Sequence, residues 1–152
     1  MATQNGISTW CSTQFGTLTV GVLVAAMVLT VWVGLASDWA APTMGFLAGL
    51  VVILMLFHSL TVEVFPEAVC CYFGFGGITR TIRLDAIDDV RAVRNPWYLG
   101  WGIRGIPHGW MFNVSGFDAV GLYLASGKRF RIGTSDPSGV ISAIRTMKGQ
   151  AP

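Results

Sequence analysis

The feature that most constrains this chain is a run of 22 residues without a charged side chain, at positions 15–36. As a helix rising about 1.5 Å per residue, it is long enough to cross a bilayer hydrocarbon core of about 30 Å. A second apolar run of 17 residues follows at positions 44–60, after the segment SDWAAPT. That length is at the lower limit for a span. We therefore predict a two-helix transmembrane hairpin over residues 15–60.

Two other structures are compatible with this pattern. Two buried helices of a soluble protein would need more surrounding chain than the remaining residues supply. A cleaved signal peptide is suggested by the small residues at positions 34–36. However, the segment before the run contains no Lys or Arg, and the run is longer than the apolar region of a usual signal peptide. The sequence therefore favours an anchor that stays in the protein.

The basic residues give the hairpin an orientation. All ten Lys and Arg residues lie at Arg80 or later, and the loop at positions 37–43 has none. By the positive-inside rule, the chain after the hairpin lies in the cytoplasm. Residues 1–14 then form an N-terminal cytoplasmic tail, with Trp10 and Trp39 at the two membrane interfaces. The net charge of +2 is too small to indicate nucleic acid binding.

Small residues in both apolar runs suggest how the helices could pack. Gly45 and Gly49 form a G-x-x-x-G pattern in the second run, and Gly21 with Ala25 offers a matching surface in the first. Such residues let helix backbones approach closely in lipid. The alternative is that these glycines are simply tolerated, and the sequence leaves both interpretations open.

After residue 60, the apolar residues repeat with a period of two. This pattern predicts strands at 61–65, 68–73, 78–84, 88–95 and 109–116, and a hairpin over 119–134. The segment SDPSGVISAIRTMKG predicts a helix with Asp136 as N-cap, Pro137 at its first position and Gly149 just past its end. Residues 61–152 are therefore expected to form an α+β domain that folds without residues 1–60.

The order of these elements resembles the pleckstrin-homology-like domains of small bacterial membrane proteins. The likeness covers residues 61–148, and its most specific parts are WGIR at 101–104, NVSG at 113–116 and FRIGT at 130–134. It implies an antiparallel β-barrel capped by a C-terminal helix, behind two transmembrane helices of the bacterial inner membrane. It implies no reaction, and the chain matches no lipid-binding motif of the eukaryotic relatives.

The segment GWGIRG, at positions 100–105, is a literal G-x-G-x-x-G. A dinucleotide loop needs a strand before these glycines and a helix beginning near the third. Here Asn95-Pro96 favours a turn before them, and Pro107 and Gly109 follow where the helix would run. We predict that the segment is irregular and binds no nucleotide, and that its glycines let the backbone lie close to a partner or to the bilayer.

The chain offers little for catalysis. Its two histidines are fifty residues apart, and it has no Cys-x-x-Cys, nucleophile-elbow or helical zinc motif. His58, near a helix end in lipid, could ligate haem or a chlorophyll magnesium, but no second histidine lies in the first helix. The aspartates of DAIDD could attract a cation, although a solvated turn is favoured. We expect no enzyme, no metal and no cofactor.

The cysteines are typical of a reducing compartment. Cys70 and Cys71 are adjacent in a predicted strand, so their side chains point to opposite faces and a disulfide between them would be strained. Cys11 lies on the predicted cytoplasmic side. Three thiols without a disulfide framework fit a cytoplasmic face.

Two groups of residues are candidates for contacts. We expect contact with a partner or with the membrane from large amphipathic side chains, namely Trp97, Tyr98, Trp101 and Arg104. Burial of Trp110, alone or with Trp101, under the final helix is the alternative for those two residues. The cations Lys128, Arg129 and Arg131 of the last hairpin could contact anionic lipid, and an ordinary solvated strand face is the alternative.

These observations predict a non-catalytic, membrane-anchored interaction or scaffold protein. It would be an accessory subunit that stabilises or assembles a larger integral membrane complex, of which respiratory and photosynthetic assemblies are examples. The expected partners are other integral membrane subunits and membrane lipids, without nucleic acid or nucleotide. The alternative is a cytoplasm-facing lipid-surface sensor that binds anionic headgroups.

Overall fold

A computed structural model describes residues 10–37 and 40–149 of the chain, which form an α+β fold. The described elements follow one another as β1 (Trp10–Phe15), α1 (Thr17–Ala36), α2 (Ala40–Phe57), β2 (Ser59–Val64), β3 (Ala68–Phe73), β4 (Ile78–Arg83), β5 (Ile87–Arg94), β6 (Gly102–Ile106), β7 (Gly109–Asn113), β8 (Asp118–Leu124), β9 (Arg129–Gly133) and α3 (Pro137–Met147). Short 3-10 turns occur at Leu84–Ala86 and Trp97–Leu99. Trp39, predicted at a membrane interface, lies outside the described residues, as do residues 1–9 of the predicted tail.

The strands form two sheets. The first has the order β1-β2-β3-β4 and is antiparallel throughout; the second has the order β5-β8-β9-β7-β6. All pairs of the second sheet are antiparallel except β7 with β9, which is parallel. The predicted strands after residue 60 and the C-terminal helix are present. The predicted barrel is not seen, since the described strands belong to two separate sheets.

Strand β1 was not predicted from the sequence. Its six residues pair with β2 from Trp10 opposite Val64 to Phe15 opposite Ser59. The expected boundaries at residues 14 and 60 therefore cut into two paired strands. Trp10 lies at the end of β1 away from α1, about 17 Å along the strand, and packs against the core. The prediction that Trp10 lies at a membrane interface is therefore wrong.

Helix α1 is the one helix among the described residues that is long and apolar enough to cross a membrane. Its mean hydropathy is 2.4, and none of that stretch is buried within the chain. Helix α2 is also apolar but shorter. It ends at Phe57 instead of at residue 60 because Ser59 and Leu60 pair in β2. The predicted second span, α2, is too short to meet the length criterion for crossing a membrane. A helix such as α1 occurs both in anchors and in signal sequences.

The two helices pack against each other, but not through the predicted glycines. A Cβ built on Gly34 would lie 2.5 Å from Cγ2 of Thr43, so the helices approach closely at that point. A Cβ on Gly21, Gly45 or Gly49 would meet no atom within 4 Å. Ala25 is likewise exposed. The hairpin therefore closes at Gly34, near its turn, and leaves the predicted small residues open.

The core lies between the two sheets and α3. Its largest fully buried side chains come from both sheets and from the helix, and include Phe73, Leu60, Ile87, Leu122, Ile132 and Ile144. Helix α3 begins as predicted, since Oδ1 of Asp136 accepts a hydrogen bond of 2.9 Å from the backbone N–H of Gly139. That hydrogen bond holds the pKa of Asp136 below its ordinary value. Val140 and Ile144, which belong to the predicted apolar stripe of the helix, are buried in the core.

Candidate functional site

The junction between the helices and the sheets contains very little linking chain. Gly16 alone separates β1 from α1, and His58 alone separates α2 from β2. The N–H of Gly16 donates a 2.8 Å hydrogen bond to the carbonyl oxygen of His58, which joins the two connections. The ring of Phe57, the last residue of α2, packs edge-on against Phe73 in the core at 5.1 Å. The hairpin is therefore fixed to the β domain without a flexible linker.

Two hydrogen bonds also tie the junction to the second sheet. Thr19 Oγ1, in the first turn of α1, donates to the carbonyl oxygen of Val114 at 2.9 Å. Gln14 Nε2, in β1, donates to the carbonyl oxygen of Ser115 at 3.0 Å. Both acceptors directly follow β7. The end of the second sheet at Asn113 therefore lies next to α1, and we call it the helix-proximal end.

The strand pairing places other residues at this same end. Gly133, the last residue of β9, lies there because β9 runs parallel to β7. Arg94, the last residue of β5, lies there because it pairs with Asp118, which begins β8. The turns at His108 and Lys128 lie at the opposite, helix-distal end.

Four exposed aromatic residues surround the junction, and we call them the aromatic rim: Phe15, Phe75, Trp97 and Tyr98, exposed by 65%, 87%, 78% and 71%. Phe15 directly precedes Gly16 and α1. Phe75 is at the β3–β4 turn, with its ring 5.1 Å from that of His58. Trp97 and Tyr98 follow the helix-proximal end of β5, with their rings 6.2 Å apart.

Trp110 does not belong to the rim. It lies near the start of β7, toward the helix-distal end, and its side chain is 58% exposed. The interpretation of Trp110 as a core residue under the final helix is therefore wrong. The reason is its position: it pairs with Phe130 on one side, but on the other it faces Gly105 of the edge strand β6, which offers no side chain to cover it.

A cleft of about 520 Å³ opens where α1 and α2 meet the second sheet, and we call it the junction cleft. The helices supply an apolar wall, and the sheet supplies a wall with polar atoms. The lining consists of Leu18, Thr19, Val22, Leu23, Ile53, Phe57, Gly100, Trp101, Gly102, Arg104, Asn113 and Val114. The cleft thus brings together two of the four predicted contact residues, Trp101 and Arg104, while Trp97 and Tyr98 stay on the rim.

The glycines of GWGIRG shape this cleft. Gly100 has φ 65° and ψ −154°, a backbone conformation that is essentially restricted to glycine. Gly102 has φ 94° and begins β6. The segment after Gly102 is therefore a strand, which corrects the prediction of an irregular loop. No helix begins near Gly105, so a phosphate would find no helix N-terminus there.

Two buried polar atoms of residues that line the cleft have no hydrogen-bond partner among the described residues. They are Nε1 of Trp101, whose half-buried ring lies 6.4 Å from Phe117, and Oδ1 of Asn113, whose side chain is 1% exposed. Oε1 of Gln14 and Nδ2 of Asn95 are also buried without such a partner, but these residues do not line the cleft. Unpartnered buried polar atoms are rare in folded proteins, so their concentration at one place needs a physical explanation.

The cations predicted to contact lipid lie elsewhere. Lys128 is in the helix-distal turn, and Arg129 is about 13 Å along β9 from Gly133. The guanidinium of Arg129 lies over the ring of Tyr123, 5.5 Å from its centroid. Arg131 donates from Nη1 to Oδ1 of Asn95 at 3.2 Å. The structure thus places Lys128 and Arg129 away from the end of the sheet where the helices leave, whereas Arg131 reaches toward that end through Asn95.

The remaining candidates have local partners. Nδ1 of His58 donates to the carbonyl oxygen of Met55 at 3.0 Å. Within the described ranges, no group of three or more His, Cys, Asp and Glu could hold a metal ion. In DAIDD, Asp85 pairs with Arg83 and Asp89 with Arg91, and each hydrogen bond lowers the pKa of its aspartate.

Comparison with known proteins adds no identity. No family model matches the chain, and no curated protein matches it.

Proposed function

We propose that this protein is a non-catalytic, membrane-anchored interaction protein, an accessory subunit whose helical hairpin packs beside other integral membrane proteins. The observation that carries the proposal is the exposure of α1. It is a 20-residue apolar helix in which no residue is fully buried by the rest of the chain. Apolar surface of this extent is stable against lipid or against other apolar helices, and is unfavourable in water.

The strand pairing supports insertion of both helices. Because Phe15 pairs directly with Ser59, a chain that leaves the sheet through α1 must return to the same side through α2. Helix α2 has 18 residues, which span about 27 Å. That length is close to the hydrocarbon thickness.

The same pairing argues for retention of α1. A signal peptide is removed with everything that precedes it, and here that would include β1. The first sheet would lose an edge strand of six paired residues, and β2 would lose one of its two partners and become the new edge. An anchor that stays in the protein keeps both.

The aromatic rim supports a β domain seated directly on the bilayer. Trp, Tyr and Phe settle at the interface between headgroups and hydrocarbon. All four rim residues are at the end of the domain from which the helices leave, and Gly16 and His58 leave no slack in the connection. The absence of Lys and Arg from the loop at 37–43 favours a cytoplasmic domain at a bacterial inner membrane.

The open glycines of the hairpin offer a surface for a partner helix. A Cβ built on Gly21, Gly45 or Gly49 would meet no described neighbouring atom within 4 Å, so the helix surface at these residues is open. Backbones of neighbouring helices approach closely at such residues. A lipid-surface sensor built on Lys128 and Arg129 is less favoured, because those residues lie at the helix-distal end.

The proposal is tested by purifying the chain from native membranes in a mild detergent and identifying the integral membrane proteins that accompany it. Alkaline carbonate washing of the membranes comes first, and we expect it to leave the protein in the membrane pellet. Recovery in the carbonate supernatant would contradict the anchor. Purification of the chain without any membrane protein would contradict the role as a subunit.

The rim is tested in the same purification with the double variant Trp97→Ala and Tyr98→Ala. Loss of aromatic anchors in an interface typically costs about 2 kcal/mol or more of binding, so we expect much less of the accompanying proteins. Trp110→Ala is the matched control, since it removes an exposed tryptophan at the opposite end of the sheet. Equal loss in both variants would mean that the rim has no special role.

A further inference from the structure

We infer that the junction cleft binds one anionic phospholipid, with an acyl chain against α1 and α2 and its phosphate at Arg104. This inference rests on the proposed insertion of the hairpin, and it adds a specific ligand site that insertion alone does not require. The cleft volume of about 520 Å³ is within the range of about 300–1,000 Å³ typical of small-molecule sites.

The apolar half of the cleft fits a hydrocarbon chain. It is lined by Leu18, Val22 and Leu23 from the first two turns of α1, and by Ile53 and Phe57 from the end of α2. From Leu18 to Leu23 the wall extends about 8 Å along α1, into the part of the helix that would enter the hydrocarbon. Val22 is 61% exposed and Ile53 is 45% exposed, so neither is covered by the chain itself.

The polar half fits an anionic headgroup. Arg104 is the one charged residue of the lining, and no carboxylate is among the lining residues. Its guanidinium forms no ion pair with the residues that the structure describes, whereas Asp85 and Asp89 are engaged with other arginines. An arginine without a counter-charge beside an apolar wall is complementary to a phosphate that carries acyl chains.

One unpartnered atom of the cleft lining supplies a further contact for such a ligand. The buried Nε1 of Trp101 is a hydrogen-bond donor without an acceptor in the described chain. Phosphate and ester oxygens are acceptors and would satisfy it. Gly100 and Gly102 add no side chain to this wall, and a Cβ at Gly100 would lie 3.8 Å from Nη2 of Arg104.

The order of the two halves matches the order of groups in a phospholipid. The arginine and the indole N–H belong to the β domain, at the start of the helices, and the apolar wall continues along the helices away from it. A free phosphate would use only the polar half and would leave the apolar wall exposed. This is why we assign the site to a membrane lipid.

The experiment is native mass spectrometry of the full chain in mild detergent, titrated with phosphatidylglycerol or with phosphatidylcholine of the same acyl chains. We expect one phosphatidylglycerol to bind about tenfold more tightly than phosphatidylcholine. Arg104→Gln should weaken phosphatidylglycerol binding about tenfold or more, because a hydrogen bond to a charged group is lost. Trp101→Phe keeps an aromatic side chain but removes the indole N–H, and should weaken binding about fivefold.

Two further variants separate this site from general attraction. Val22→Phe fills the apolar half without touching Arg104, and we expect it to reduce binding of both lipids. Arg129→Gln removes an exposed arginine of the same sheet at its helix-distal end, and we expect phosphatidylglycerol binding to be unchanged.

The inference is overturned by equal retention of the two lipids in the unaltered chain, or by equal effects of Arg104→Gln and Arg129→Gln. If Arg104→Gln does not fold, the result with Val22→Phe decides: unchanged lipid binding in that variant also overturns it. Carbonate extraction reports separately on the proposed function. A chain that stays in the membrane but shows no lipid preference contradicts only the cleft.

Discussion

The hairpin and the β domain are made from the same apolar residue types but bury them very differently. In the β domain, Leu60 and Val120 are 0% exposed, whereas in α1 Val28 and Leu35 are 64% and 85% exposed. The domain encloses its own core, and the hairpin encloses almost nothing. The difference is what the proposed surroundings require: water around the domain, and lipid or other helices around the hairpin.

The largest expected effect comes from removing the hairpin in two ways, one that keeps β1 and one that does not. Phe15 and Ser59 pair directly, so replacing residues 16–58 by Asn-Gly would join β1 to β2 through a two-residue hairpin turn. We expect this variant to be a soluble, folded domain by near-UV circular dichroism. The fragment 61–152 lacks β1 and the start of β2, including the fully buried Leu60, and should aggregate. A well-folded 61–152 fragment would show that β1 is dispensable.

The next largest effect compares one apolar deletion in each region. Ile144→Ala removes a side chain of 0% exposure from α3 and should lower the free energy of unfolding of the domain by about 2–5 kcal/mol. Val28→Ala, in α1, should change it by less than about 0.5 kcal/mol. The measurement is hydrogen exchange of the slowest amides of β2 and β8 in the full chain in detergent. Similar effects of the two substitutions would mean that the regions share one core.

A smaller effect concerns acid and is confined to the β domain. The pKa of Asp136 is lowered in the folded state by the N–H of Gly139, so its stabilisation is present above the unfolded pKa of about 3.9 and is lost as pH falls through the lower, folded value. Asp136→Asn keeps a good N-cap but does not titrate. We expect its urea midpoint, in the Asn-Gly variant, to fall less between pH 7 and pH 3 than that of the parent. An equal fall would mean that the other carboxylates dominate.

The smallest effect is a difference in thiol reactivity within the first sheet. Cys71 is fully buried, and burial raises the pKa of its thiol, whereas Cys70 is half-buried on the opposite face and Cys11 is exposed. We expect a maleimide at pH 7.5 to modify Cys11 and Cys70 in the native protein and Cys71 only after unfolding. Rapid modification of Cys71 would show that the sheet opens at β3.

The sequence was sufficient for elements with a local signal. The strands after residue 60 and the helix α3 follow from residue periodicity. The ends of α3 follow from Asp136, Pro137 and Gly149, each of which affects the backbone only within a few positions of itself. Strand β1 was not predicted because its sequence, WCSTQF, has no apolar repeat, although its residues alternate between half-buried and exposed in the structure. It is a strand because β2 is beside it, and β2 begins only at Ser59, 44 residues after Phe15.

The candidate site was predictable only in part, for the same reason. The residue types alone identified Trp97, Tyr98, Trp101 and Arg104 as amphipathic. Only the structure shows that Trp101 and Arg104 line the junction cleft while Trp97 and Tyr98 stay on the rim. The parallel pairing of β7 with β9 decides that Asn113 and Gly133 lie together and that Lys128 lies far from the helices. No local pattern encodes that pairing, so the exposure of Trp110 and the position of the basic residues could not be anticipated.

The central claim, that α1 and α2 cross the membrane as one hairpin, is tested most directly by the side from which each end is labelled. In a chain whose other cysteines are replaced by serine, Cys11 reports on β1, and Ala41→Cys reports on the exposed start of α2 at the far end of the hairpin. With a membrane-impermeant maleimide, we predict that the Ala41→Cys thiol is labelled in intact spheroplasts. Cys11 should be labelled only after the spheroplasts are lysed. Labelling of both thiols under the same condition would contradict the account.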